Sequence, residues 1–267
     1  MSKHGLDKFY TKPEIVDWCL DTIDYKKYDL VIEPSVGSGA FYSKLNHENK
    51  IGIDLKPELG PLNELHNVIT HDFLTWEFNE FPYPKNILLI GNPPFGRNGS
   101  LALKFIKKGC NMGADIAFIL PKGYKKKSMY DRIPLNYEKV LEIDLPHNSF
   151  SYNGVDYDVP CVWHIYKKSD KIRTKEIKLT PRYFKFTDKS NANIAIRRVG
   201  GVAGKVFNNV DVSESSHYFI HSKYKEILMM NMDTTLFSDN DTTGPRSISK
   251  NELINVIDSI VENNLYL

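Results

Sequence analysis

Asn92-Pro93-Pro94-Phe95 is the tetrapeptide of this chain best suited to chemistry. Consecutive prolines remove two backbone donors and fix φ, so the carbonyls beside them stand rigid and free to accept hydrogen bonds. Asn92 contributes a side-chain carbonyl and Phe95 an aromatic face. Directly after the apolar run Ile87 to Gly91, the four describe a pocket that grips a planar amine rather than an ordinary Pro-Pro turn. A second constellation lies upstream in Glu33-Pro34-Ser35-Val36-Gly37-Ser38-Gly39, where an apolar run ends in a carboxylate and a Gly-x-Gly turn ahead of an expected helix. Glycines there let backbone approach a ligand, and a strand-end carboxylate suits a cationic group or a sugar hydroxyl. It is not a dinucleotide fingerprint, because the third glycine falls on Tyr42, and no phosphate-cradling Gly-Lys-Ser/Thr follows. The next apolar run closes on Asp54, 21 positions after Glu33, the spacing of an acid that accepts from ribose hydroxyls. The run after that closes on Asp72-Phe73, an acid and a ring able to bind an adenine amino group and pack on its face. Each Asp alone reads as a turn residue. Three acids in register after successive strands read as a ligand crevice.

The elements that must position these groups follow from the spacing of apolar residues. Short β-type runs are expected at 30–33, 51–54, 68–71, 87–90, 116–120, 140–145 and 158–166, with a helical pattern at Leu101 to Cys110 between two of them. Continuously apolar runs such as Ile87-Leu88-Leu89-Ile90 suit central strands covered on both faces. The alternation predicts an open α/β, Rossmann-like sheet that binds ligands at the carboxyl ends of its strands. A helix over Lys12 to Ile23 is expected ahead of it, with Thr11 as N-cap and Pro13 in the first turn. Ser249 to Glu252 has capping-box spacing and leads into Leu253, Ile254, Ile257, Ile260 and Val261 on one helical face, a packing element. The Asn/Asp/Thr/Gly stretch Ser238 to Gly244 reads as an exposed loop.

The chain has 41% hydrophobic and 25% charged residues, the balance of a globular protein, and no apolar run long enough to span a membrane. Three widely spaced cysteines argue against a disulfide framework and a zinc cluster, and with no apolar leader this predicts an intracellular, reducing setting without a membrane partner. The net charge of +2 conceals an uneven distribution: −2 over residues 1–166, +9 over 167–205 and −5 over 206–267. The basic block is either a solvated face or a polyanion-binding surface. Arg197-Arg198, followed by Gly200, Gly201 and Gly204, would serve backbone phosphates. Lys122 and Lys125 to Lys127 offer a second contact line or a solvated loop. A composition shift after Lys168 places a boundary there, giving an α/β domain at 1–168 and a basic region with a C-terminal helix at 169–267.

These motifs together resemble the S-adenosylmethionine-dependent amino-methyltransferases of nucleic acids, particularly the gamma class of N6-adenine DNA methyltransferases. The resemblance covers roughly residues 9 to 168, in that class's order. It implies a Rossmann-like methyltransferase sheet followed by a small target-recognition domain, and S-adenosyl-L-methionine as cofactor. Phe9 to Val16 looks like the class's N-terminal motif, which implies cofactor-binding roles for Tyr10 and Thr11. Glu33, Pro34, Gly37 and Gly39 match the cofactor loop, Asp54 the ribose-binding acid, and Asp72 with Phe73 the adenine-binding pair. Asn92, Pro93, Pro94 and Phe95 match the catalytic tetrapeptide, with Asn92 also facing the cofactor. Phe150 resembles the aromatic that stacks on the flipped base, with Tyr152 and Tyr157 as competitors. Phe95 and Phe150 from this resemblance, with Lys122, Arg197 and Arg198 from the basic segments, are the expected substrate contacts.

The implied activity is direct methyl transfer to adenine N6 in DNA, with adenine in RNA, including cap-proximal adenosine, as the alternative. Three further readings are open to the residues. Pro160-Cys161 has the composition of a cytosine C5 nucleophile but lies in a β-type run far from Asn92, where a structural cysteine is expected. Methylation of a protein glutamine amide would suit Asn-Pro-Pro-aromatic, but the basic block and Phe9 to Pro13 argue for nucleic acid. An idle binding subunit would be expected to lose Asn92 or the Gly37 to Gly39 turn. His217 and His221 lack a third ligand, and the chemistry requires no metal. A monomer is compatible with a chain of this size.

Overall fold

The computed structural model describes residues 10–58, 66–79, 83–152, 154–237 and 246–265, so Phe9, Asn153 and the 238–244 segment lie outside the described residues. The chain divides into two compact units, Met1–Glu176 and Ile177–Leu267. The division falls eight residues beyond the composition shift at 168. Residues 169–176 go with the first unit because Arg173 stacks on the Tyr130 ring at 3.6 Å and donates to the carbonyls of Tyr130, Ile133, Pro134 and Tyr137.

The first unit contains β1 (Tyr10–Thr11), α1 (Pro13–Asp21), β2 (Leu30–Glu33), β3 (Lys50–Asp54), β4 (Val68–Thr70), β5 (Ile87–Gly91), α2 (Ser100–Asn111), β6 (Asp115–Pro121), α3 (Lys127–Tyr130), β7 (Tyr137–Asp144), β8 (Phe150–Tyr152), β9 (Val155–Tyr157) and β10 (Cys161–Lys168). Seven strands form one sheet in the order β4-β3-β2-β5-β6-β10-β7. All pairs from β4 to β6 are parallel, and β10 enters antiparallel between β6 and β7. Side chains alternate across the sheet, as strand geometry demands. Leu30, Ile32, Leu89, Ile116, Phe118 and Val162 join the core layer beneath α2. Val31, Leu88, Ile90, Ala117, Ile119 and Trp163 join the layer beneath α1. Each buried large apolar side chain of this kind contributes roughly 1.5–3 kcal/mol relative to exposure.

Two expected features take a different form. Thr11 is not the N-cap of α1: it is the second residue of β1, paired opposite Phe150, and Lys12 occupies the cap without a side-chain bond. The segment after Gly39 forms successive turns through Lys44 rather than a helix, tied by Ser43 N–H to Gly39 O at 2.9 Å and Leu45 N–H to Phe41 O at 3.1 Å. β1, β8 and β9 form a small antiparallel sheet of their own.

The second unit holds β11 (Lys185–Phe186), β12 (Ile194–Arg197), β13 (Val206–Phe207), β14 (His217–His221), α4 (Lys225–Asn231) and α5 (Lys250–Leu265), with an antiparallel sheet in the order β11-β14-β12-β13. The capping box forms as spaced: Ser249 N–H donates to Glu252 Oε2 at 2.7 Å and Glu252 N–H to Ser249 Oγ at 3.2 Å. Leu253, Ile254, Ile257 and Val261 are buried from that helix into the unit's core. No helix among the described residues is long and apolar enough to cross a membrane.

Candidate active site

The chain leaves β2 toward β3 on one side of the sheet and leaves β5 toward β6 on the other, so a crevice opens between the carboxyl ends of these two neighbours. The Glu33 loop leaves from β2 and Asn92 leaves from β5, which brings two segments nearly 60 residues apart into one cavity of about 330 Å³. Asp54, Asp72 and Phe73 line it from the next strand ends, and Tyr10, Thr11 and Phe150 from the small sheet. Pro34, Gly37, Pro93, Pro94 and Phe95, also expected there, line it as well. Gly39 does not line the cavity; its N–H donates to Val36 O at 2.8 Å and closes the turn behind it.

Asn92 is held at three points. Its backbone carbonyl accepts from Ser35 Oγ at 3.2 Å, and its Nδ2 donates to Thr11 Oγ1 at 3.2 Å. The third is covalent, the Pro93-Pro94 pair that follows it. Phe95 then packs against both core layers while its carbonyl accepts the N–H groups of Leu101 and Ala102 at the start of α2, at 3.0 and 3.3 Å. This leaves Asn92 Oδ1 buried without a hydrogen-bond partner. A buried amide oxygen left in that state costs free energy, so it marks a place where a donor belongs.

Glu33 is the second orphan. It is buried, with Oε2 unpartnered. Burial pushes its carboxyl well above the usual range, and Asp54 adds to this, while a Tyr42 backbone hydrogen bond and Lys50 oppose it. Gly91 makes room for it: a Cβ there would lie 3.2 Å from Glu33 Cγ, and the residue sits at φ 141°. Gly37, at φ 53°, turns its N–H to Asp54 Oδ2 at 2.8 Å, and a Cβ on it would meet nothing within 4 Å. Asp54 Oδ1 accepts the Lys56 N–H at 2.8 Å, and Asp72 Oδ1 accepts the Leu74 N–H at 2.9 Å. Phe73 is buried against Phe105, ring centroids 5.2 Å apart, so its position is fixed by the core.

Tyr10 hydrogen-bonds Glu58, which raises its phenol to about 12 together with burial, and the Glu58 N–H donates to Gly37 O at 2.9 Å. Neither Ser35 nor Glu58 carried a sequence signal for these roles. Ser35 stood inside the loop motif unremarked, and Glu58 lies 48 residues from Tyr10. Phe150 is buried and lines the cavity, whereas Tyr157 is exposed, and neither Tyr152 nor Tyr157 lines it. Lys122 does not line it either; with Lys125 it shares Asp144, at 3.6 and 3.1 Å. Lys127 pairs with Asp131 at 2.9 Å, so three cations of this loop face two carboxylates. Cys161 is buried, and that burial pushes its thiol far up, which leaves no thiolate to attack. Arg197 and Arg198 belong to the second unit. Arg197 donates to Val199 O at 2.7 Å and Ser216 Oγ at 3.1 Å, and Arg198 twice to Ser215 O, at 3.2 and 2.7 Å. Among the described residues no cluster of His, Cys, Asp and Glu is arranged to hold a metal.

Sheet order and switch-point crevice, with Asn-Pro-Pro-Phe at the end of β5, together define a Rossmann-like α/β domain with its ligand cavity at the carboxyl ends of the strands. No protein-family model matches the chain. It is 32% identical over 94 residues to the type II methyltransferase M.CvrRI of Paramecium bursaria Chlorella virus XZ-6E, a match that spans 33% of this chain and 24% of that relative. Among solved structures it is similar to a modification subunit of a candidate type I restriction enzyme from Vibrio vulnificus YJ016, at TM-score 0.46 and 17% identity, covering 61% of this chain and 45% of that one. It is likewise similar to the 23S rRNA methyltransferase ErmE, at TM-score 0.46 and 16% identity over 63% of this chain and 73% of that one.

Proposed function

We propose that the chain methylates nucleic acid, transferring a methyl group from S-adenosyl-L-methionine to the N6 amino group of adenine in DNA. The observation that carries this reading is the buried, unpartnered Oδ1 of Asn92 at the end of β5, aligned with a Pro-Pro turn and two aromatic walls. The cofactor fits the residues present. Gly37 offers backbone with no side chain in the way, Glu33 Oε2 is an acceptor awaiting a donor, and Asp54 and Asp72 stand at the next two strand ends for hydroxyl and amino groups. When bound, S-adenosylmethionine supplies an electrophilic sulfonium methyl.

The chain's own task is to make a poor nucleophile adequate. The adenine N6 lone pair is delocalised into the ring. Asn92 Oδ1 and the Pro93 carbonyl accept its two hydrogens, which draws the nitrogen toward a tetrahedral shape and directs its lone pair. Because both acceptors are fixed before substrate arrives, rate comes from positioning and electrostatics rather than a covalent intermediate. Phe95 and Phe150 hold the base by stacking, which a paired base in a duplex could not reach.

The +9 block at 167–205 supports a polyanionic nucleic acid as the substrate, and similarity over 94 residues to a type II methyltransferase supports DNA among these. Residues 169–267 serve in this reading as the target-recognition region. Arg197 and Arg198 keep N–H groups beyond those already bonded, since a guanidinium carries five, and can meet phosphates without releasing their loops. The test is transfer of labelled methyl to matched DNA, RNA and capped-RNA panels, with mass identification of the nucleoside. N6-methyldeoxyadenosine from DNA is expected. N6-methyladenosine from RNA alone would overturn the substrate while keeping the chemistry, and no product on any nucleic acid would overturn both.

A further inference from the structure

The small β1-β8-β9 sheet contributes more than a wall. Thr11 is buried and stands directly opposite Phe150 in the antiparallel pair, and residues so paired project to the same side. Its Oγ1 lies 3.2 Å from Asn92 Nδ2, across 81 residues of chain. An asparagine amide presents a donor end and an acceptor end, and only the acceptor end can receive an amine's hydrogens. With Nδ2 engaged by Thr11 and the backbone carbonyl engaged by Ser35, the acceptor end is the one left unpartnered.

We propose that Thr11 is a positioning residue that sets the orientation of the Asn92 amide, so that Oδ1 faces the amine to be methylated. This rests on the reading of Asn92 given above. It differs from a cofactor-contact role for Thr11 in what a substitution should change. Three further contacts hold Thr11 in place: Lys12 N–H to Ser149 O at 3.1 Å, Lys12 to Asp156 at 2.7 Å, and Tyr10 through Glu58 to the Gly37 loop. β1 thereby links the cofactor loop, the Asn92 amide and the Phe150 ring, and the hydroxyl accepts from the Nδ2 end of the amide while the Oδ1 end is left to the cavity.

Thr11→Val keeps the shape and removes the hydroxyl; Thr11→Ser keeps the hydroxyl. The full chain is compared in three measurements: kcat on whichever nucleic acid the wild type methylates, S-adenosylhomocysteine affinity by calorimetry, and the Asn92 side-chain amide resonances in 15N-labelled protein, assigned by their loss in Asn92→Asp. Loss of one oriented hydrogen bond predicts about a tenfold fall in kcat for the valine variant, near-complete recovery in the serine variant, unchanged affinity, and displaced Asn92 amide resonances with valine only. Unchanged resonances in the valine variant, a loss confined to affinity, or equal losses in both variants would overturn the proposal. The resonance measurement needs no turnover, so a wild type that methylates nothing would count against the Asn92 reading and leave the Thr11 contact separately testable.

Discussion

At Asn92 the proposed chemistry depends on one oxygen that has no partner and on neighbours that already hold the rest of the residue. Asn92→Ala is therefore expected to reduce transfer by at least about a hundredfold while S-adenosylhomocysteine binding stays within about threefold, because the change removes an interaction made with the reacting amine; substantial residual turnover would remove its role. Cys161 makes the opposite prediction. Buried in β10 and held as a thiol, it should tolerate Cys161→Ala with kcat within about twofold, whereas a thiolate mechanism would lose turnover entirely. Gly91 tests the floor beneath Glu33: a Cβ there meets Glu33 at 3.2 Å on a backbone at φ 141°. Gly91→Ala should lower stability by about 1–3 kcal/mol in urea unfolding, and an unchanged midpoint would show that the contact relaxes freely.

Among the elements, β10 was legible as an apolar run and illegible as a direction. Its residues Cys161 to Lys168 could equally extend the parallel series, and only its hydrogen bonds to β6 on one side and β7 on the other settle it as the antiparallel member. That placement buries His164, whose Nδ1 meets Tyr166 Oη at 2.6 Å. Glu142 Oε2 lies 3.1 Å from Nε2 without a hydrogen bond forming and is itself engaged by Lys139, so burial dominates, with Lys139 and Lys125 adding to it, and the imidazole is held down to about 3. The sign follows: the unfolded chain takes up a proton near the ordinary value of about 6.5 and the folded chain does not, so stability falls as pH drops from about 6.5 toward 3. Unfolding midpoints measured down that range should decline more steeply for the wild type than for His164→Asn; parallel declines would assign the effect to other groups. α5 was legible throughout, since capping box and apolar face are local patterns. Glu252→Ala should cost about 1 kcal/mol in the same assay, and no change would make the cap redundant.

Across the whole chain, charge is segregated along the sequence, with a +9 block flanked by segments of −2 and −5. If that block meets phosphates, polynucleotide affinity falls steeply and log-linearly with salt, and replacing both Arg197 and Arg198 with glutamine lowers the slope by about 1 for each phosphate contact removed. A flat salt response would assign the block to solvent. The loop at 122–127 is not expected to share this behaviour, because Asp144 and Asp131 already answer Lys122, Lys125 and Lys127.

What the sequence determined by itself were the properties that depend on near neighbours: the apolar runs that become strands, the acids at their ends, the Pro-Pro turn after β5 and the capped last helix. Those signals lie within a few residues of one another, so periodicity and dihedral restriction suffice to expose them. Tertiary structure decided everything that turns on distant partners. It drew Thr11 away from the expected helix cap and into a strand opposite Phe150, because a backbone ladder and a bond to Asn92 outweigh one cap. It replaced the expected helix after Gly39 with turns, seated Glu58 on Tyr10, and paired Lys122 with Asp144. The orphaned oxygens of Asn92 and Glu33 belong to this second group as well, since whether a polar atom has a partner is a fact about the folded neighbourhood, which no spacing of residue types records.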